Sequence, residues 1–215
     1  MPTGTEDYYR ARANEYDAVY DKPERQHDLG VLRSRLAQHL TGRHVLEIAA
    51  GTGYWTDAYA DAAAAVMATD VNDATLDVAR HRRVWPATVQ FTVADAFDLG
   101  LVEGSVDAGF VGFFWSHVRH DHLVAFLAGV ADRIETGGRV VFLDNRYVEG
   151  SNHPIARTDS DGNTYQQRKL ADGTSWEVLK NFPTPEQIRT SLEPRFTNVA
   201  VEELGYFWFA TCTVR

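Results

Sequence analysis

The chain has 215 residues, 44% apolar and 24% charged, with a formal net charge of −9. These are the proportions of one soluble globular domain, and the acidic balance argues against a surface built on nucleic-acid phosphates, which needs clustered Lys and Arg. A single cysteine, Cys212, excludes an internal disulfide and a cysteine-based zinc site, and no run approaches the roughly 20 apolar residues of a membrane span.

The opening "MPTGTEDYYRARANEYD" is polar and acidic, unlike a signal peptide, so the cytoplasm is the expected compartment. Residues 1–40 predict two helices. The first carries Tyr8, Tyr9, Tyr16 and Tyr20; the second starts near Pro23 and has a stripe of Leu29, Leu32, Leu36 and Leu40. The rhythm then changes. "HVLEIA" (44–49) predicts a buried strand ending in a glycine turn, and "WTDAYADAAA" a helix. "AVMATD" (65–70) is a second strand and "DATLDVARHRR" a second helix, capped by Asp73. The basic run Arg80, His81, Arg82 and Arg83 reads as a solvated helix end. "TVQFTVAD" (88–95) and "VDAGFVGF" (106–113) are further strands, "HDHLVAFLAGVADRIE" is a helix stopped by Gly137-Gly138, and "RVVFLDN" (139–145) is a fifth strand.

Strands alternating with helices imply βαβ units and a parallel sheet covered on both faces. The pattern breaks at 146–180, where "TYQQRKL" and "SWEVLK" flank Asp172-Gly173 as a hairpin. A helix, "TPEQIRTSLEP", and two β-rich runs meeting around Gly205 close the chain; the short link makes them antiparallel neighbours. Cys212 falls in the last run as a buried strand residue.

The chemistry-bearing motif is "LEIAAGTGYW". Gly51 and Gly53 form a turn between strand and helix, Asp70 ends the second strand and Asp95 the third. In open α/β sheets ligands bind beyond the carboxyl ends of the strands, and an acid there takes ribose hydroxyls. The third glycine of a dinucleotide fingerprint is missing, with Tyr54 or Thr56 in its place, and no phosphate-binding G-x-x-x-x-G-K-[ST] loop exists.

The run from Glu47 through Gly51 and Gly53, the acid at Asp70, the Ala94-Asp95 pair and the closing β-hairpin resemble the class I S-adenosylmethionine-dependent methyltransferases. The resemblance covers about residues 40–145 and 184–215, and departs at Ala49, where many members have glycine. It implies an α/β, Rossmann-like fold: a mainly parallel seven-stranded sheet with an antiparallel C-terminal hairpin and helices on both faces. It also implies S-adenosyl-L-methionine as cofactor and S-adenosyl-L-homocysteine as product. Ala49, Gly51 and Gly53 would line the methionine part and Asp70, beside Val71, would hold the ribose. Asp95 would face the adenine amino group, walled by Ala96 and Phe97. Glu47 would support the loop, Phe113 would border the cofactor, and Tyr16 and Tyr20 would belong to a lid.

Methyl transfer is an in-line displacement, favoured by alignment and water exclusion. The segment after the fourth strand, Phe113, Phe114, Trp115, Ser116 and His117, lies where the methyl should emerge. His117 is a candidate base, with His120 second; the bland alternative is packing against the next helix. Adding His122 makes a poor three-histidine metal site, because it turns away from the helix face His117 and His120 share. Asp144-Asn145 matches a pair in metal-dependent catechol methyltransferases, but the acid they carry after the fourth strand is aromatic here, so no metal is expected. Substrate-binding candidates are Phe114, Trp115, His117, Asp144, Arg146, Tyr147, Tyr165 and Arg168; the arginines would suit a carboxylate-bearing substrate.

The expected layout is one domain: an N-terminal helical lid (1–40), a cofactor core (41–145), a substrate cap (146–183), and a closing helix and hairpin (184–215). The expected acceptor is a small molecule, with no nucleic-acid or membrane partner, in a monomer or homodimer. The Asn/Asp-Pro-Pro-Tyr/Phe motif of nucleic-acid amino methyltransferases is absent. Alternatives are an NAD-type oxidoreductase, a protein or RNA methyltransferase, and a non-catalytic cofactor-binding module.

Overall fold

The computed structural model describes residues 17, 19–100, 104–169 and 173–215. Tyr16, the rest of the first predicted helix before it, and Asp172 of the predicted hairpin turn lie outside the described residues. The strands are β1 (His44–Ile48), β2 (Ala65–Asp70), β3 (Val89–Val93), β4 (Ala108–Gly112), β5 (Arg139–Asn145), β6 (Ile155–Thr158), β7 (Thr164–Lys169), β8 (Ser175–Leu179), β9 (Phe196–Glu203) and β10 (Phe207–Val214). The helices are α1 (Gln26–Leu40), α2 (Thr56–Tyr59), α3 (Asp73–His81), α4 (His120–Asp132) and α5 (Pro185–Leu192).

Seven strands form one sheet in the order β3-β2-β1-β4-β5-β10-β9, and β6-β7-β8 form a second, antiparallel sheet. The first five of the large sheet run parallel, and β10 pairs antiparallel with both β5 and β9. The expected seven-stranded sheet with its antiparallel finish is therefore present. Period-two alternation sends side chains to two cores. Leu46, Ile48, Val111, Val140 and Phe142 pack beneath α4 and α5, whereas Val45, Phe110, Val141 and Leu143 pack beneath α1 and α2. The leucine stripe of α1 is buried as its spacing predicts: Leu29, Leu32, Leu36 and Leu40.

Several local expectations are corrected. The helix after the glycine turn is short, because the backbone groups of Ala62 and Ala64 are taken by Gly42 and Arg43 leading into β1. Asn72, not Asp73, caps α3, accepting from the Ala74 N–H at 3.1 Å, while Asp73 pairs with Arg80. The basic run is not merely solvated: Arg82 Nε donates to the Thr52 carbonyl at 2.9 Å and Arg83 binds Asp61. Strand β6 has no counterpart in the sequence pattern, since all four of its side chains are exposed and no alternation marks it.

Glu47 is the one acid in the middle of β1, on the α1 and α2 face. It is fully buried and accepts from Thr56 Oγ1 at 2.7 Å and Tyr59 Oη at 2.8 Å. Desolvation pushes its carboxyl up to about 7 despite these two donors. A raised folded-state pKa means the folded chain holds a proton that the unfolded chain has lost. Stability should therefore be greatest below the ordinary carboxylate pKa and fall as pH rises through about 7, by about 3 kcal/mol in all. Glu47→Gln should flatten this decline in chemical denaturation curves between pH 5 and 8; an unchanged slope would show that Glu47 is not its source.

Candidate active site

The turn after β1 uses left-handed backbone at Ala49 (φ 58°), Gly51 (φ 57°) and Gly53 (φ 71°). Gly51 N–H donates to Asp70 Oδ2 at 2.9 Å, and Asn72 N–H donates to Asp70 Oδ1 at 2.8 Å. The acid ending β2 is thus fixed by the backbone on either side of it. Gly53 is close-packed against α3. A Cβ there would lie 3.1 Å from Ala79 Cβ, so the glycine lets α3 approach the turn, and it does not line the cavity.

Ahead of this turn is a cavity of about 690 Å³ walled by Ala49, Gly51, Asp70, Val71, Asn72, Thr75, Ala94, Asp95, Ala96, Gly112, Phe113, Phe114 and His117. Asp95 Oδ1 accepts from the Phe97 N–H at 2.9 Å, which shapes the loop after β3. The cavity sits over β1 and β4, where the strand order reverses and ligands bind in such sheets. Two carboxylates of the nucleoside-binding kind and a tight left-handed turn make a donor set that fits an adenosyl cofactor.

A second cavity of about 710 Å³ adjoins the first, and the two share Phe113 and His117. Its other walls include Tyr20, Lys22, Arg25, Asn145, Ser151, Asn152, His153, Gln166, Arg168, Lys180 and Phe207. Phe113 is held at φ 58°, an outlier for a bulky residue, by the Leu143 carbonyl accepting its N–H at 2.7 Å. Its ring packs with Tyr20, Trp55 and Phe207 at centroid distances of 5.7, 5.5 and 5.6 Å. Tyr20 in turn stacks on Tyr54 at 3.8 Å and accepts from Trp55 Nε1 at 3.1 Å.

His117 ends a short 3₁₀ turn after β4 and is 6% exposed. Its Nδ1 lies 2.7 Å from the Leu179 carbonyl. A carbonyl only accepts, so Nδ1 carries the proton and the neutral ring keeps its lone pair on Nε2. Burial, reinforced by the nearby charges of Lys180 and Arg168, holds the imidazole well below its ordinary pKa, and it is neutral at neutral pH. Behind it, Lys180 Nζ donates to Ser116 Oγ at 2.6 Å and Asp144 Oδ1 at 3.0 Å, and Asp144 Oδ2 accepts from Ser116 N–H at 2.9 Å. Burial alone would raise the Asp144 pKa; the Lys180 charge and the hydrogen bonds from Ser116 outweigh it and lower the net value. Burial lowers that of Lys180 against the pull of Asp144.

The remaining expectations divide. Glu47 lies under the turn and Asp144 under the second cavity, so both support walls rather than form them. Phe114 lines the first cavity, not the second. Trp115 turns into the core against Phe142 and Trp208. Phe97 packs on Phe126, outside the cavity wall. His120 is exposed at the start of α4, its N–H donated to Asn163 Oδ1, away from both cavities. Arg146 binds Glu203, Tyr147 packs on Phe182, and Tyr165 donates to Asp159; none of the three lines either cavity, whereas Arg168 lines the second. The sequence reading missed Lys180, Arg25, Asn145 and Ser151 as site residues. Lys180 and Arg25 look like ordinary charged ends of a strand and a helix, and only the tertiary fold buries them. Among the described residues no group of three or more His, Cys, Asp or Glu side chains is arranged to hold a metal.

A family model described as a methyltransferase domain matches residues 45–138. A demethylmenaquinone methyltransferase of Clavibacter sepedonicus is 32% identical over 145 residues, 62% of this chain and 56% of that protein. The chain thus spans little more than half the length of that curated relative. The DhpI–SAH complex is 30% identical with a TM-score of 0.78, covering 99% of this chain and 96% of that one. The DhpI–SAM–HEP complex is likewise 30% identical, with a TM-score of 0.76 over 96% and 94%. Fold, turn and relatives together define a cofactor-dependent group-transfer protein of the Rossmann-like kind. The chain belongs to the class I S-adenosylmethionine-dependent methyltransferases. Membership sets aside the dinucleotide-dependent oxidoreductase alternative.

If Asp70 holds the ribose, Asp70→Ala should weaken S-adenosylhomocysteine binding in calorimetry by about 10- to 100-fold, the worth of a charge-assisted hydrogen bond. Unchanged affinity would remove Asp70 from the cofactor site.

Proposed function

We propose that this chain is a methyltransferase that moves a methyl group from S-adenosylmethionine in the first cavity to a small molecule in the second. The observation that carries the proposal is the shared wall: Phe113 and His117 border both cavities, so donor and acceptor would meet there. When bound, the cofactor supplies an electrophilic methyl on a sulfonium. Asp70 and Asp95 would hold its ribose and adenine, with Ala49, Gly51, Val71 and Ala96 against its surface. The aromatic face of Phe113 suits a cationic sulfur. The packing of Phe113, Tyr20, Trp55 and Phe207 would exclude water from the junction.

On the acceptor side, residues 146–183 form the cap we assign to the substrate, contributing Ser151, Asn152, His153, Gln166, Arg168 and Lys180 to the wall. Tyr20 lines this cavity too and would belong to the proposed lid. His117 would receive a proton from an oxygen or nitrogen nucleophile on its Nε2, its ring orientation fixed by Leu179. A concave cleft walled by side chains of both sheets favours a small acceptor over a protein or RNA chain. The Clavibacter relative is named for demethylmenaquinone and a DhpI structure for SAM with HEP; both names support a small acceptor.

Calorimetry with S-adenosylhomocysteine and with NADH tests the donor: only the former should bind, and binding of NADH alone would end the proposal. In assays of labelled methyl transfer to small-molecule acceptors, His117→Ala should lower kcat by about 100-fold or more, with S-adenosylhomocysteine affinity within about twofold. Because the imidazole pKa is lowered, its basic form persists as pH falls. The acid limb of kcat should therefore lie below 6.5. Full turnover by the variant would make His117 a packing residue.

A further inference from the structure

The second cavity is lined by Lys22, Arg25, Arg168 and Lys180 and, among the described residues, by no aspartate or glutamate. That is against the trend of a chain with net charge −9. Buried cations are costly unless paired and fully hydrogen-bonded, and Lys180 is only partly satisfied. Asp144 sits behind it, and Glu24 spends its contact on the Ser151 hydroxyl. Lys180 is 4% exposed and has three N–H donors, of which Ser116 Oγ and Asp144 Oδ1 take two. The third has no partner among the described residues. Arg25 is 6% exposed and immobilised: Nε and Nη2 donate to Ser151 Oγ, Nη1 donates to Asn145 Oδ1, and the Tyr206 and Phe207 rings flank it.

We propose that the acceptor is an anion, carrying a carboxylate or phosphoryl group that seats on Lys180 and Arg168 with Arg25 behind them. The proposal rests on the assignment of this cavity to the acceptor. An oxyanion would bring negative charge among these cations and accept the remaining Lys180 N–H. A neutral quinone, the acceptor kind named for the Clavibacter relative, would bring no countercharge to these cations.

The test uses the full chain saturated with S-adenosylhomocysteine, with thermal midpoints measured against malonate, inorganic phosphate and neutral malonamide. Malonate or phosphate should raise the midpoint saturably and malonamide should not; which anion is stronger tells a carboxylate from a phosphoryl acceptor. Lys180→Met and Arg168→Gln should each weaken the anion response by about 10-fold or more while leaving S-adenosylhomocysteine affinity within about twofold. Lys180→Met strips Asp144 of its buried cation, so Arg168→Gln decides the matter if that variant does not fold. The proposal is overturned if neither anion acts, if malonamide acts equally, or if the folded variants respond like the parent. Failure of S-adenosylhomocysteine itself to bind appears before any anion is added and refutes the underlying reading instead.

Discussion

The buried pair Asp144–Lys180 is the contact on which the site depends. Asp144 lies one residue before the end of β5 in the large sheet and Lys180 follows β8 in the small one; their side chains are 0% and 5% exposed. Two charges taken out of water are held only by mutual attraction and by hydrogen bonds to what remains of their polar atoms. Asp144 meets that condition with the Ser116 and Asn145 N–H groups, and Lys180 with the Ser116 hydroxyl. The same bridge presses the turn after β4 against the end of β8, where the Leu179 carbonyl fixes the tautomer of His117. One electrostatic contact thus joins the two sheets, positions an imidazole and turns a cation toward a cavity.

The other constraint is steric. Ala49, Gly51 and Phe113 all adopt left-handed backbone at the carboxyl ends of β1 and β4. For alanine and phenylalanine this conformation costs energy, and it persists only because surrounding contacts over-determine it. The Phe113 ring is enclosed by Tyr20, Trp55 and Phe207, and its N–H is bound by Leu143. Strain collects at the boundary between the two cavities, where a fixed wall is needed for in-line transfer.

Much of the fold was legible in the sequence because period-two burial in the large sheet and the leucine stripe of α1 are local signals. The placing of the glycine turn, Asp70 and Asp95 was legible too, since strand ends and turns fix where those residues go; Gly51, Asp70 and Asp95 border one cavity. The acceptor side was not. Arg146, Tyr147 and Tyr165 have the right chemistry but are drawn off by Glu203, Phe182 and Asp159, partners distant or unmarked in sequence. Lys180 and Arg25 acquire meaning only when β8 and the start of α1 converge on β5. Trp115 shows the same limit: next to the site in sequence, it is claimed by the core contacts of Phe142 and Trp208. Gly53 belongs to the expected turn, where it packs against Ala79 of α3 and does not border the first cavity.

Acidic residues border the first cavity and cationic residues the second, with a neutral imidazole and an aromatic wall between them, an arrangement that suits the proposed transfer of a methyl group from one to the other. The most direct measurement is a crystal structure of the chain with S-adenosylhomocysteine. The account predicts the ribose on Asp70 and the sulfur at Phe113 and His117, facing the cavity lined by Lys180 and Arg168. A sulfur pointing away from that junction, or a ligand seated outside the first cavity, would contradict it.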